Sequence, residues 1–549
     1  MINKNLVCLF EESLKQHWLL PAFTNYQEED HSYAEVAERI IFLHYFFEKC
    51  GLKCEEKVAL LGKNTVNWAI TYLAVVTYGA VIVPILPDFK PDDVHHIVNH
   101  SESKMLFVAD DIYEELDESN MLELETIISL KNFSLLFEKK KNVKQIIEES
   151  KIKYLEKYDG NLSPEKINFK KVANNELAAI IYTSGTTGFS KGVMLPHNSL
   201  ISNIVFAQKN IPLDSGDTIV SFLPIAHVFG CVFEFLYPFA SGCHITFLGK
   251  TPSPKVLIKA FGEIHPRLIL SVPLVLEKIY KKQVKPKLDK STIKFLMKIP
   301  MMRKRIYAKV NTTLTEVFGG NFREIVLGGA ALNEEVEQFL QAIKFRYTVG
   351  YGMTECGPLI SYAGWKNFKT DSCGRVVNNM IARIDSDDPE NSVGEILVKG
   401  ENVMYGYYKN LEATKKAIDE DGWLHTGDLG VIDKDDFIFI KGRSKSMILG
   451  PSGKNIYPEE LEARLNNLSC VQESIVIFKD NKLTALVYPD MEAVDTNGLS
   501  EKDLEVIMEE NKKMMNSMFP AYMAINKIEI YPEEFEKTPK RSIKRFLYS

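Results

Sequence analysis

The chain has 549 residues, 45% of them hydrophobic and 25% charged, with a formal net charge of -7. This exceeds the roughly 250 to 300 residues at which one hydrophobic core stops growing, so two or more domains are expected, and the composition leaves no room for a long disordered tract. The acidic balance argues against nucleic-acid binding by the surface as a whole.

The opening MINKNLVCLFEESLKQ has no apolar run long enough for a signal peptide and carries acids early, which predicts a chain that is not secreted. Eight cysteines, at 8, 50, 54, 231, 243, 356, 373 and 470, show no paired metal spacing and read as reduced thiols of a cytosolic protein. The strand-like KVALLG precedes a helix around Trp68. The longest apolar run, Ala69 to Leu86, nearly reaches membrane-spanning length but is punctuated by Tyr72, Thr77, Tyr78, Gly79 and Pro84. A buried helix ending at Gly79, then a buried strand AVIVPIL, is the expected reading.

A helix from about Pro91 and the strand-like KMLFVAD continue the alternation, which implies a largely parallel sheet covered by helices. DDVHHIVNH sets His96 and His100 at a spacing usable for zinc, but lacks the Glu of a zinc hydrolase motif and reads as a solvated helix face. Residues 112–175, rich in Lys and Glu with weak periodicity, read as an elaborated surface connection leading to the strand and loop of ELAAIIYTSG.

Tyr182 to Val193, YTSGTTGFSKGV, is rich in hydroxyls and glycine and ends near a lysine. Such a loop offers backbone N–H groups and side-chain donors to a polyphosphate, with Lys191 adding a point charge. The Walker spacing is absent, since Gly185 and Gly188 are three apart and Lys191 is followed by Gly192. FLGKT at Phe247 to Thr251 is no better, because the earlier glycine would fall on His244. Without a G-x-S-x-G elbow, Ser184 and Ser190 are not hydrolase nucleophiles.

Between 278 and 309, twelve Lys and Arg face one acid, Asp289, with Leu, Ile, Met and Phe interleaved. This is either a solvated helical face or a patch for an anionic membrane or a large phosphorylated cofactor. Further on, IKGRSKSMILGPSGKNIYPEELEARL mixes basic residues, glycine and proline between a strand and a helix pattern, a candidate linker before a small α+β tail.

After the hydroxyl-rich loop come, in order, LPIAHVFG (223–230), LGGAAL (327–332), GYGMTECGP (350–358), DGWLHTGDLG (421–430) and IKGRSK (440–445). Together these resemble the adenylate-forming superfamily of acyl-CoA synthetases, luciferases and peptide-synthetase adenylation domains, from about Val58 to about Lys544. SVPLVLEKIYKK, the basic insert after it, and GYYKNLEATKKAIDEDGWLHTGDLG resemble its long-chain fatty acyl-CoA synthetase branch. The implied fold is α/β: a large N-terminal domain of βα-layered sheets, 1–443, and a small mobile α+β C-terminal domain, 444–549.

The resemblance implies two half-reactions. A carboxylate attacks the α-phosphate of ATP to give acyl-AMP and pyrophosphate, and the thiol of coenzyme A then displaces AMP. Thr183, Ser184, Gly185, Thr186, Gly188 and Lys191 would grip the phosphates, and Thr187 and Glu355 would hold magnesium. Thr354 would bond the α-phosphate. Tyr351 would face adenine beside Gly328, Gly329 and Ala330, with Gly352 and Met353 in the same wall. Asp428 and Arg443 would take the ribose, and His227 would wall the acyl and adenylate pocket, while Cys356 is read as pocket lining.

Lys445 would be the hinge, and Gly453 and Lys454 would lie on the pantetheine channel. For the adenylating lysine, TPKRSIKRF departs from the family run by one residue and by Ile543 in place of glycine; Lys544 is favoured over Lys540. Ser190 also stands where the family commonly has proline. The resemblance thus implies fatty acid, ATP and coenzyme A as partners, no nucleic acid, and a cytosolic place or one on the inner membrane surface through 278–309. Loading of an acyl carrier protein, membrane-docked fatty-acid uptake and luciferase-type oxidation stand as rivals.

Overall fold

A computed structural model describes residues 4–139, 142–158, 162–183, 191–250, 253–449, 455–479, 482–496, 498–538 and 543–548. Two large sheets dominate its N-terminal part. One has seven strands, in the order Tyr347–Val349, Glu324–Leu327, Leu268–Ser271, Thr218–Ser221, His244–Phe247, Pro21–Asn25 and Asp30–Ser32, parallel except for the last pair. The other runs Gly406–Tyr407, Lys191–Pro196, Leu177–Thr183, Val81–Ile85, Lys57–Leu61, Ser103–Val108, Thr126–Ser129 and Leu135–Glu138. Its centre is parallel and both its edges are antiparallel.

The long apolar run resolves as the sequence predicts. Thr65 caps the helix Val66–Tyr78 by accepting from Trp68 N, and Gly79 ends it at φ 92, a conformation that glycine adopts without a Cβ penalty. Every residue from Trp68 to Thr77 is buried, so the helix needs no polar face. The strand Val81–Ile85 follows in the sheet interior. Among the described residues, no helix is long and apolar enough to cross a membrane.

One expectation changes. The stretch 112–175 is more than a surface connection: it adds two edge strands to the eight-stranded sheet and a helix, Val143–Tyr158, that packs on the helix Tyr33–Cys50. The strands are four residues each and the helix buries only Val143, Ile147, Ser150 and Tyr158, too little for a clear period. The basic insert is helical, with Ser291–Met297 burying no side chain and Pro300–Val317 burying only Leu314.

A four-stranded antiparallel sheet, Met380–Asp385, Gly394–Gly400, Leu424–Ile432 and Ile438–Arg443, follows in the chain. The final hundred residues fold around a separate apolar cluster built on Ile456, Leu461, Val476, Val487, Leu504 and Met515. There the strands Val471–Lys479, Lys482–Pro489 and Ile525–Ile530 carry the helices Pro458–Leu465 and Glu501–Met518.

Candidate active site

Parallel strands end with their carboxyl termini and following loops facing one side, and that side of the seven-stranded sheet opens into a cavity of roughly 3270 Å³. Apart from Cys356, each site residue singled out from the sequence that the structure describes lines it: Thr183, Lys191, His227, Gly328, Gly329, Ala330, Tyr351, Gly352, Met353, Thr354, Glu355, Asp428, Arg443, Lys445 and Lys544. Ser184, Gly185, Thr186, Thr187, Gly188, Gly453, Lys454 and Lys540 lie outside the described residues. Motifs far apart in the chain are therefore brought to one space.

Asp428 and Arg443 face each other in register across neighbouring antiparallel strands. Arg443 Nε donates to Asp428 Oδ1 at 3.0 Å, and the Tyr351 hydroxyl donates to Asp428 Oδ2 at 2.7 Å. Burial raises the Asp428 carboxyl above its ordinary range, and the Arg443 guanidinium pulls it back part of the way. The same burial, with the charge of Asp428, pushes the Tyr351 phenol well up, so it stays a donor. A carboxylate held by one charged and one neutral donor keeps lone pairs for further hydroxyls.

Thr354–Cys356 forms a short 3-10 turn after the strand Tyr351–Gly352. It is braced from behind by a buried amide network. Leu359 N donates to Asn203 Oδ1 at 3.0 Å, Asn203 Nδ2 reaches Cys356 O at 3.4 Å, and Asn402 Nδ2 donates to Leu359 O at 2.6 Å. Gly352 is required here, because a Cβ on it would lie 2.2 Å from Pro358 O. Cys356, expected at the pocket wall, is fully buried and does not line the cavity; burial also raises its thiol well above the ordinary value. The turn carries Glu355 forward and leaves the sulfur behind.

Three further residues support this end and were not singled out from the sequence. Tyr407 donates to Glu355 Oε1 at 2.9 Å, and its ring lies 4.8 Å below the Lys191 ammonium, joining two motifs through one side chain. Glu234, fully buried in the π-helical segment Cys231–Leu236, accepts from Phe222 N and Leu223 N at 3.0 Å each and so fixes the entry to LPIAHVFG. Asn64 holds the same loop from the other side, donating to Leu223 O at 2.7 Å and accepting from Ile225 N at 3.1 Å. Within that loop, His227 Nδ1 accepts from Phe229 N at 3.5 Å, and the Phe229 ring covers Gly328, where a Cβ would sit 3.0 Å from it. The tyrosine of GYYKN was available as a signal, since it lies in a stretch already quoted for its resemblance.

From His227 and Gly328 the wall turns apolar, through Phe222, Phe233, Leu248, Leu257, Leu270, Val272, Val326 and Val349. The C-terminal segment adds Ile543, Lys544, Arg545 and Phe546 to the lining. Lys544 Nζ donates to Glu536 Oε1 at 2.5 Å, and its neighbour Arg545 pairs with the buried Glu462. Arg464 pairs with Glu334, and Lys281 Nζ donates to Asn466 O at 3.0 Å. Among the described residues no cluster of three or more His, Cys, Asp or Glu could hold a metal ion, and the His96 and His100 rings stack with centroids 5.6 Å apart. A lone carboxylate such as Glu355 fits a hard cation that takes its other oxygens from a phosphorylated substrate.

The AMP-binding enzyme family profile matches residues 10–408. The chain belongs to that family. Among curated relatives of this AMP-binding enzyme, the long-chain-fatty-acid–CoA ligase ACSBG2 of Rattus norvegicus is 29% identical over 75% of this chain and 65% of its own length. The chain thus spans just under two thirds of that relative. The long-chain-fatty-acid–CoA ligase FadD15 of Mycobacterium bovis is 28% identical over 93% of this chain and 89% of its own. Among solved structures, the anthranilate CoA ligase AuaEII in complex with anthranoyl-AMP matches with a TM-score of 0.79 at 19% identity, covering 99% of this chain and 96% of that one. The mixed α/β architecture is accordingly that of adenylate-forming enzymes.

Proposed function

We propose that this AMP-binding enzyme is an ATP-dependent ligase that activates a long-chain fatty acid as its acyl-AMP and transfers the acyl group to coenzyme A. The observation that carries the reading is the cavity itself, whose lining combines the polar Asp428, Thr354 and Glu355 with the apolar Phe222, Phe233, Leu248, Leu257 and Leu270. The apolar lining suits an alkyl chain, and the long-chain-fatty-acid–CoA ligases among the relatives support that choice.

In the first half-reaction a carboxylate oxygen bonds to the α-phosphorus and the bond to the bridging oxygen breaks, so that pyrophosphate leaves. Two anions must meet, so positioning and charge neutralisation dominate the barrier. Lys191 and the hydroxyl-rich loop hold the departing phosphates, Thr354 donates to the α-phosphate, Asp428 accepts from the ribose hydroxyls, and Arg443 holds Asp428 in place. A magnesium ion held by Glu355 and Thr187 would neutralise phosphate oxygens. Lys544 supplies positive charge on the α-phosphate side. In the second half-reaction the thiolate of coenzyme A bonds to the acyl carbon and AMP leaves.

Within this reading the chain divides into 1–443 and 444–549, and the smaller part turns about Lys445 between steps, with Gly453 and Lys454 on the thiol's path. The protein works in the cytosol, with peripheral contact at the inner membrane surface through 278–309. Pyrophosphate exchange that requires fatty acid, with AMP as product, is the test, and ADP as the nucleotide product would sink it. A series of alkyl acids run beside anthranilate and benzoate decides the acid, and coenzyme A run beside acyl carrier protein decides the acceptor.

A further inference from the structure

We propose that the buried Glu462 and its partner Arg545 are a positioning pair that sets Lys544 at the cavity and so selects it among the cations of its segment. The run from Lys537 to Arg545 carries five cations, each with the charge to meet a phosphate. Charge alone does not distinguish them; placement does. Lys544 acts on the α-phosphate in the acyl-AMP reading above, and the role of the pair rests on that reading.

Glu462 is on the core side of the helix Pro458–Leu465, buried with Leu461 and Leu465. Its Oε1 accepts from Val476 N at 2.6 Å, which ties the carboxylate to the strand Val471–Lys479, and its Oε2 takes the Arg545 guanidinium. The side chain is 9% exposed, an immobile platform. The segment that carries Lys544 is the opposite. Ile543 and Tyr548 touch a small apolar cluster around Phe535, and no side chain of 543–548 is buried outright. Its backbone is pinned where Lys544 N donates to Glu536 O at 2.8 Å, beside the bridge of Ile543 to Lys537. Such a segment slips easily, whereas a planar guanidinium seated on a fixed carboxylate resists a shift of one residue. A buried ion pair roughly breaks even in stability against apolar residues, and fixing register is its best-attested use.

The partners of the neighbouring cations point the same way. Lys537 Nζ lies 2.8 Å from Glu473 Oε1 and also pairs with Glu534, so that cation is engaged within the C-terminal part. Arg545 is engaged by Glu462. Lys544 rests instead on Glu536, whose side chain is 55% exposed, a partner it can give up to a phosphate. Burial raises the Glu462 carboxyl and Arg545 draws it down, so without Arg545 the acid takes up a proton and the helix keeps a neutral side chain there. Glu462→Gln and Arg545→Gln are therefore expected to fold.

The test compares the full-length parent with Glu462→Gln, Arg545→Gln, Lys544→Ala and the double variant Glu462→Gln/Lys544→Ala. Three quantities are read: fatty-acid-dependent pyrophosphate exchange, thioester formation from supplied acyl-AMP, and amide hydrogen exchange across 543–548. Glu462→Gln should slow pyrophosphate exchange by up to roughly 10²-fold, the cost of a misplacement of about 1 Å. Its KM for ATP should change little, because Glu462 is not among the residues lining the cavity, and its thioester formation should stay near the parent. Arg545→Gln should slow pyrophosphate exchange to a similar degree. In the double variant the rate should equal that of Lys544→Ala alone, since the pair acts through Lys544; a purely structural role would add a further loss. Amide protection of 543–548 should fall in Glu462→Gln, a readout that needs no turnover. Additive loss in the double variant, parent-like pyrophosphate exchange in Glu462→Gln, or unchanged amide protection would overturn the proposal. Loss in Arg545→Gln with Glu462→Gln intact would overturn it in favour of a direct contact of Arg545 with phosphate. Absence of pyrophosphate exchange in the parent would instead remove the acyl-AMP reading, and amide protection would still decide whether Glu462 holds the segment.

Discussion

The Tyr407 hydroxyl donates to Glu355 Oε1 at 2.9 Å, across 52 positions of sequence. An outer partner of this kind orients a carboxylate that would otherwise rotate, and its removal typically costs 10–100-fold in metal affinity or activity. Tyr407→Phe keeps the ring under Lys191 and deletes only the hydroxyl. The magnesium concentration for half-maximal pyrophosphate exchange should rise by roughly tenfold or more, with the maximal rate affected less. A magnesium titration that superimposes on that of the parent would show that Tyr407 only packs.

Glu337 gives a pH dependence of stability. It is almost fully buried at the cavity edge, and burial pushes its carboxyl from 4.5 up to about 7 despite the hydrogen bond from Asp371 N at 3.2 Å. For an acid raised on folding, the folded state holds a proton that the unfolded chain has released. Stability therefore falls as pH rises through the window from 4.5 to about 7, and the whole cost is present above it. Glu337→Gln, neutral throughout, should lack a decline of about 3 kcal/mol across that window. Urea unfolding of both proteins at the two ends of the window measures it, and parallel curves would contradict it.

The element order was legible where the chemistry is local. Thr65, Gly79 and the long apolar run determine a buried helix and the strand after it, and several motifs converge because they follow the carboxyl ends of parallel strands, as Gly328 follows Leu327 and Gly350 follows Val349. What stayed illegible depends on contacts across distance. Glu234 in a π-helical turn, Asn203 on the helix His197–Asn210 and the amide of Asn402 read as unremarkable polar residues until the fold sets them against the backbone of another motif. Likewise nothing local distinguishes Cys356, which faces the core, from Glu355, which faces the cavity; the turn geometry alone separates them.

Two glycines give opposite stability effects. At Gly352 a Cβ would lie 2.2 Å from Pro358 O, a backbone atom with no freedom to retreat. Gly352→Ala should therefore destabilise by about 1–3 kcal/mol and raise the KM for ATP, since Tyr351 and Met353 must shift with it. Gly262 lies within the helix Pro254–Ile264 and a Cβ there meets nothing within 4 Å. Gly262→Ala should stabilise by about 1 kcal/mol through helix propensity. Denaturant midpoints for the pair test both signs, and equal shifts would refute the steric argument.

Lys544 carries the prediction that separates the two half-reactions. Its ammonium rests on Glu536 Oε1 at 2.5 Å and its backbone N–H donates to Glu536 O at 2.8 Å, so one acidic residue holds it at the cavity edge. The pair is solvent-accessible, and the carboxyl of Glu536 is held below its ordinary range chiefly by that hydrogen bond. An exposed pair of this kind is weak enough to be exchanged for a phosphate oxygen, which offers more charge. Lys544→Ala should then lower fatty-acid-dependent pyrophosphate exchange by roughly 10²–10³, the usual cost of one missing donor to a developing charge. Thioester formation from supplied acyl-AMP should be nearly unchanged, because the second step has no pyrophosphate to expel. Lys540→Ala, run beside it, should leave both steps close to the parent. Equal loss of both half-reactions in Lys544→Ala would assign the residue to folding of the C-terminal segment, and loss of exchange in Lys540→Ala alone would transfer the role to that lysine.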